Sequence, residues 1–235
     1  METKPVAGHI LAELEEMGSE ERRIKTASYA PTSQRVVGVT NPGMRRLIKE
    51  LKKQYAEWSS VEWIGLCKEL VRMSVFECQV VAYEIIAGSK IILENLEYKD
   101  VEDLYKNLDN WASVDHFSVG IFGVLWKNGV VSDEKIDELV DSGNVWDRRV
   151  GVVSTVALNT RSRGGTGDAS RTLSVCEKVV DDPHPMIRKA LSWSLRSLVR
   201  WDRDAVGGFL EKHRDSMSKS VIREVEHKLK HGTKN

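Results

Sequence analysis

Little in this chain invites a disulfide, a membrane or a sheet. Cysteine occurs three times in 235 residues, as Cys67, Cys78 and Cys176. Their spacing is neither ligand-like nor that of a disulfide framework, so reduced core thiols in a cytoplasmic protein are expected. Proline occurs five times, and Pro31, Pro42, Pro183 and Pro185 fall at breaks between helical segments. The longest apolar runs, such as 80–83 and 91–93, are far too short to span a bilayer. The opening Met1-Glu2-Thr3-Lys4 leads into a mixed-charge helix, not the apolar stretch of a signal peptide. Period-two alternation is confined to Val36-Val37-Gly38-Val39. The glycine-rich loop 159–168 has no strand before it and no Gly-Lys-Ser/Thr ending, which argues against a nucleotide cradle. It reads instead as a flexible surface loop whose two arginines touch a nucleic-acid backbone. Six histidines offer one i, i+4 pair, His227 and His231, at a terminus prone to fray. No serine or cysteine sits in a nucleophile turn. Neither a metal nor any other cofactor is expected.

Net charge is also lacking, but its distribution is uneven. Residues 1–140 hold 17 Lys+Arg against 23 Asp+Glu, and residues 141–235 hold 18 against 12. Inside the acidic part, 22–53 is a basic island of nine cations with Glu50 as its single acid. Two basic regions flanking an acidic middle are either ordinary solvated helix faces or the two ends of a clamp for a polyanion.

What the chain does have is helical periodicity. Ile10, Leu11 and Leu14 recur at helical spacing, as do Met44, Leu47, Ile48, Leu51 and Tyr55. Gly18 ends the first helix and Ser19 caps the second. Thr40 or Asn41 caps the third, with Pro42 fitting its first turn. Further helices are expected over 60–72, 75–86, 90–95, 101–108, 113–126, 132–140, 145–158, 169–180, 185–200, 203–212 and 219–230. Short polar connections make antiparallel pairs. Trp146-Asp147-Arg148-Arg149-Val150 and, some forty residues on, Pro185-Met186-Ile187-Arg188-Lys189-Ala190 both start a helix after an acidic turn. The phrase Asp181-Asp182-Pro183-His184-Pro185-Met186-Ile187-Arg188-Lys189-Ala190 has the look of a HEAT-like repeat. The expected fold is all-α: a HEAT-like repeat solenoid over 1–235, a curved superhelix whose concave basic groove gathers Trp111, Arg149 and Trp193.

Asn110-Trp111-Ala112-Ser113-Val114-Asp115-His116 sits at the middle of this pattern. Trp111 and Asp115 lie one helical turn apart and share a face. Indoles and a carboxylate together can hold a cationic group. The plainer alternatives are that Asp115 pairs with Arg148 or Arg149 across helices, and that Trp111 and Trp193 pack in the core. Trp58, Trp63, Trp126, Trp146 and Trp201 are read as packing.

Five stretches resemble the AlkD-like DNA alkylation repair glycosylases, which are built from HEAT-like repeats. They are Tyr29; Gly38-Val39-Thr40-Asn41-Pro42-Gly43-Met44-Arg45-Arg46-Leu47; Asn110 to Asp115; Trp146 to Val150; and Lys189-Ala190-Leu191-Ser192-Trp193-Ser194-Leu195-Arg196. Loop 159–168 is longer than the family's connection, and the adjacent Arg148 and Arg149 compete for one alignment position, with Arg149 favoured by the apolar residues after it. The resemblance implies excision of cationic N3- and N7-alkylated purines from duplex DNA, in base excision repair. Asp115 would stabilise the cationic sugar, Trp111 and Trp193 would flank it, and Arg149 would hold a nearby phosphate. The base would stay stacked, in an open groove without a base pocket. Tyr29, Arg45, Arg46, Arg148, Arg188 and Lys189 would grip the duplex. A monomer with double-stranded alkylated DNA as its partner and no membrane is the expectation. The other class considered is a non-catalytic HEAT-like protein that binds DNA or a protein.

Overall fold

In the computed structural model, residues 3–233 are described. They form two compact units that divide between Phe117 and Ser118, taken here one at a time. The described residues are all-helical, with a repeat-like alternation of helices and no strands among them. Val36–Val39 forms no strand; the only sheet-like feature seen among the described residues is an isolated bridge between Arg35 and Val75.

The first unit holds α1 (Thr3–Met17), α2 (Glu20–Tyr29), α3 (Asn41–Gln54), α4 (Ser60–Arg72), α5 (Phe76–Ala87), α6 (Lys90–Glu94), α7 (Tyr98–Leu104) and α8 (Trp111–Phe117). Its helices alternate between two layers. α4 packs on α1 and α7, while α5 packs on α3 and α8, and α4 against α5 joins the layers. Leu66, Cys67, Leu70, Cys78, Val81, Tyr83, Ile85 and Ile86 fill the space between them. Each fully buried aliphatic side chain contributes roughly 1.5–3 kcal/mol. The caps follow the sequence: the Ser19 hydroxyl accepts from Arg22 N, the Thr40 hydroxyl from Gly43 N, and Ser59 forms a reciprocal capping box with Glu62. α2 is the exception in packing. None of its residues is buried. Glu-Glu-Arg-Arg at its start leaves it no apolar stripe, and its ends do the holding.

The second unit runs through a π-helical turn (Ser118–Phe122), α9 (Gly123–Lys127), α10 (Asp133–Val140), α11 (Val145–Leu158), a 3-10 turn (Arg161–Arg163), α12 (Ala169–Lys178), α13 (Pro185–Leu198), α14 (Arg203–Lys212) and α15 (Lys219–His231). α11, α13 and α15 pack in succession, and α10, α12 and α14 form the second layer over them. α11 is rich in valine, a mediocre helix former, and nearly all of its residues from Arg149 onward are buried, so tertiary packing overrides propensity. Most sequence-expected helices appear within a residue or two. The expected 101–108 helix lies earlier, at Tyr98–Leu104, and the expected 113–126 helix is interrupted by the π-helical turn. Such turns appear mostly where a helix takes in an extra residue.

All three cysteines are free and buried. Burial pushes the Cys78 and Cys176 thiols up to about 12, so neither is a thiolate nucleophile at neutral pH. Among the described residues no helix is long and apolar enough to cross a membrane.

Candidate functional site

The first unit builds its site around the N-terminus of α8. Asn110 is buried, and its side-chain oxygen accepts from Ser113 N at 3.0 Å, capping the helix. Asp109 beside it accepts from the Thr32 hydroxyl and from both the amide and hydroxyl of Ser33, which ties the segment after α2 to the start of α8. Trp111 is therefore the first residue of a helix fixed at its origin. Its indole N–H donates to the Tyr29 carbonyl at 3.0 Å, and the two rings meet edge to face with centroids 4.9 Å apart. The Tyr29 ring itself is 70% exposed. Asp115 follows one turn after Trp111 and is half-buried.

Burial works against the charge of Asp109, but the hydrogen bonds from Ser33, Thr32 and Asn110 outweigh it and hold its carboxyl below the usual carboxylate value. A depressed folded-state pKa stabilises the fold above the unfolded value and loses that contribution as pH falls through the folded one. Asp109→Asn is accordingly expected to melt lower than wild type at pH 7, with the gap closing as pH drops below about 4. A gap in melting temperature that stays constant down to pH 2 would contradict this.

Trp111, Ala112 and His116 line one side of a cavity of about 800 Å³. Its apolar wall includes Val39, Met44, Ile48, Phe76 and Val80, and its polar wall Arg22, Lys25, Arg45 and Glu84. An open groove without a base pocket was the expectation; the first unit has a substantial cavity beside Trp111. Asp115 is not on its lining. In the basic island, Arg23 pairs with Glu20 and Arg35 with Glu15. The other seven cations, Arg45 and Arg46 among them, make no ion pair among the described residues. Arg45 and Arg46 are both exposed on α3.

The second unit holds the remaining candidates. Arg148 and Arg149 begin α11 but are used differently. The Arg148 guanidinium pairs with Asp182 at 2.9 Å and also donates to the carbonyls of Ser142 and Gly143. Arg188 Nε donates to the Asp182 carbonyl at 3.2 Å, so both arginines converge on the turn before α13. Arg149 is 5% exposed and donates to the Met186 carbonyl. Lys189 is exposed. Trp193 is half-buried and lines a second cavity, of about 420 Å³, with Val119, Val156 and a group of polar and basic residues. The four expected catalytic residues are thus divided: Trp111 and Asp115 in the first unit, Arg149 and Trp193 in the second.

The sequence profile of the DNA alkylation repair enzyme family matches residues 10–229. The chain belongs to that family. A solved structure described as a predicted DNA alkylation repair enzyme from Enterococcus faecalis shares the fold, with a TM-score of 0.69 and 17% identity over 89% of this chain and 95% of that one. No curated protein matches. Membership in the DNA alkylation repair enzyme family gives the chain a role in DNA repair and makes DNA its partner.

For a DNA alkylation repair enzyme, the two cavities also bring in residues that were not candidates for the site. Arg22 and Lys25 belonged to the basic island, but only the fold sets them on the same cavity as Trp111. Glu84 was not singled out in the sequence, and His116 only closed the stretch from Asn110 without a role of its own. In the second unit, Arg161, Arg196, Arg200 and Lys228 line the Trp193 cavity. Trp201, read as packing, donates its indole N–H to the Asn159 carbonyl at 2.8 Å and carries two guanidinium groups against its ring, those of Arg161 and Arg200. Trp63 and Trp126 are core residues as expected.

Proposed function

We propose that this DNA alkylation repair enzyme is an AlkD-like glycosylase that hydrolyses the N-glycosidic bond of cationic N3- and N7-alkylated purines in duplex DNA. The observation that carries the reading is the fixed start of α8: Asn110 caps it, Tyr29 holds the Trp111 indole, and Asp115 stands one turn on. The chemistry asks for little else. An alkylated purine is already positive and leaves with the glycosidic electron pair as a neutral base, so no general acid is needed. Positive charge then builds on the deoxyribose, and water closes the reaction at C1′. The Asp115 carboxylate stabilises that charge and orients the water. Trp111 offers an indole face to the same cation. Arg149 holds a phosphate near the lesion.

Asp115 lies off the lining of the large cavity, which supports a base that stays stacked and a protein that engages the backbone. Tyr29, Arg45, Arg46 and Lys189, all exposed, are the side chains free to meet the duplex. Arg148 and Arg188 contribute by shaping the turn before α13, since their guanidinium groups are held by Asp182. The chain is read as one HEAT-like domain over 1–235 and as a monomer, in the cytoplasm. The test is direct. Wild-type protein is expected to release 3-methyladenine or 7-methylguanine from methylated duplex DNA, measured by chromatography of the freed base. A duplex that keeps both bases while binding tightly would sink the enzyme and leave a DNA-binding scaffold.

A further inference from the structure

Helix α2 lies over a cavity and is held at its ends. None of its residues is buried, and Ile24, its single large aliphatic side chain, is 59% exposed. Its start is tied by Ser19 N, which donates to the Gly38 carbonyl at 3.1 Å, and its end by the Trp111 indole N–H, which donates to the Tyr29 carbonyl. Between those ties Arg22, Lys25, Thr26, Ser28 and Tyr29 line the 800 Å³ cavity of the first unit. A space of that size is ample for a small organic ligand.

The lining divides by chemistry. Met44 and Ile48 from α3, Phe76 and Val80 from α5, and Val39 ahead of α3 make an apolar wall. Arg22, Lys25 and Arg45 stand on the same lining, and none of the three makes an ion pair among the described residues. Arg22 and Lys25 are three residues apart on α2, so their side chains share a face. Glu84 is the one carboxylate on the lining among the described residues, and it pairs with none of the three. Like charges gathered around one cavity repel, and an anion placed among them offsets the repulsion. Arg22 gives a sharper sign. Its Nε is buried and has no hydrogen-bond partner among the described residues. A buried donor left unpaired is costly, and an acceptor on a ligand removes that cost.

We propose that this cavity binds a small amphipathic anion, an organic acid with an apolar chain and a single carboxylate or phosphate head. The chain lies on the wall of Met44, Ile48, Phe76 and Val80, and the head accepts from Arg22 and Lys25, with Arg45 close by on the lining. A duplex backbone has no apolar chain to set against that wall, and a free inorganic anion leaves it uncovered. The bound chain also gives α2 an apolar contact that its own sequence does not supply. The proposal concerns a small molecule and stands whether or not the protein cleaves DNA.

Isothermal titration calorimetry of the full chain tests it, with octanoate, octyl phosphate and uncharged octanol as probes, each below the concentration at which it aggregates. Single-site binding of octanoate or octyl phosphate is expected, and the tighter of the two names the head group. Octanol is expected to bind at least about tenfold more weakly, the loss of a charge-assisted hydrogen bond. Arg22→Gln/Lys25→Gln is expected to weaken the anion by a similar factor and to leave octanol binding unchanged, which shows that the wall is still formed. Lys99→Gln, at an exposed position off the lining, is expected to change neither. No binding of either anion overturns the proposal, as does equal affinity of wild type for octanoate and octanol. Anion affinity untouched by the two α2 substitutions puts the anion elsewhere on the chain and overturns it as well.

Discussion

Asp115→Asn is expected to release alkylated purines roughly 100- to 1000-fold more slowly than wild type, a loss of about 2.7–4 kcal/mol of transition-state stabilisation. The substitution keeps the size and planarity of the side chain and removes its charge. Ground-state binding does not suffer: a carboxylate facing a polyanion is a repulsive group, so the variant is expected to hold an unmodified duplex at least as tightly. The split is diagnostic. Loss of rate without loss of affinity marks an interaction made with the charge that develops on the sugar. The measurement is single-turnover release of 7-methylguanine at saturating protein, with affinity determined in parallel. Equal rates for the two proteins would remove Asp115 from the chemistry. The helix itself gives the comparison a sound basis, since α8 is started by Asn110 and tethered through Trp111 to Tyr29, bonds that the substitution leaves in place.

The periodic part of this architecture was legible in the chain. α4, α11 and α14 begin and end within a residue of the apolar pattern that marks them, and Ser19, Thr40 and Ser132 cap where hydroxyls precede helical runs. These are local effects, set by neighbours within a few residues. Trp111 and Asp115 were legible for the same reason, being one turn apart on one helix. What was not legible depends on which helices meet. The π-helical turn at Ser118–Phe122 has no composition of its own. Arg148 and Arg149 are adjacent in sequence, and only packing against α13 decides that one pairs with Asp182 and the other is buried beneath the Met186 carbonyl. Loop 159–168 looks slack from its glycines, yet Trp201, some forty residues on, fixes it. The 800 Å³ cavity is lined from α2, α3, α5 and α8 and leaves no trace in any one of them.

The least advertised residue in the sequence carries the second large effect. Glu77 is 1% exposed, a position where a carboxylate is costly unless fully satisfied. It is satisfied by backbone: one oxygen accepts from Val37 N at 2.9 Å, the other from Gly38 N at 2.7 Å and Val39 N at 3.3 Å. Those amides belong to the segment between α2 and α3, whose Gly38 has φ +91° and no room for a Cβ, which would strike the Ser19 carbonyl oxygen at 2.4 Å. The Gly38 carbonyl in turn accepts from Ser19 N, at the start of α2. One carboxylate on α5 therefore sets the origin of α2, which has no buried residue to hold it, and the entry to α3, which carries Arg45 and Arg46. Glu77→Gln keeps the shape but turns an amide N–H₂ toward backbone N–H groups, leaving at least one of them unpaired in the interior. A cost of about 3 kcal/mol is expected, between that of an orphaned backbone group and that of a broken buried ion contact. In a chain of this length that lowers the melting temperature by roughly 6–12 °C. Thermal denaturation followed by circular dichroism measures it, and a shift of under 1 °C would show that the three amides find other acceptors. Duplex affinity separates the two consequences. At a temperature where the variant is still folded, weaker binding than wild type means that Glu77 also places the exposed arginines of α3, and equal binding means that it stabilises the unit without aiming them.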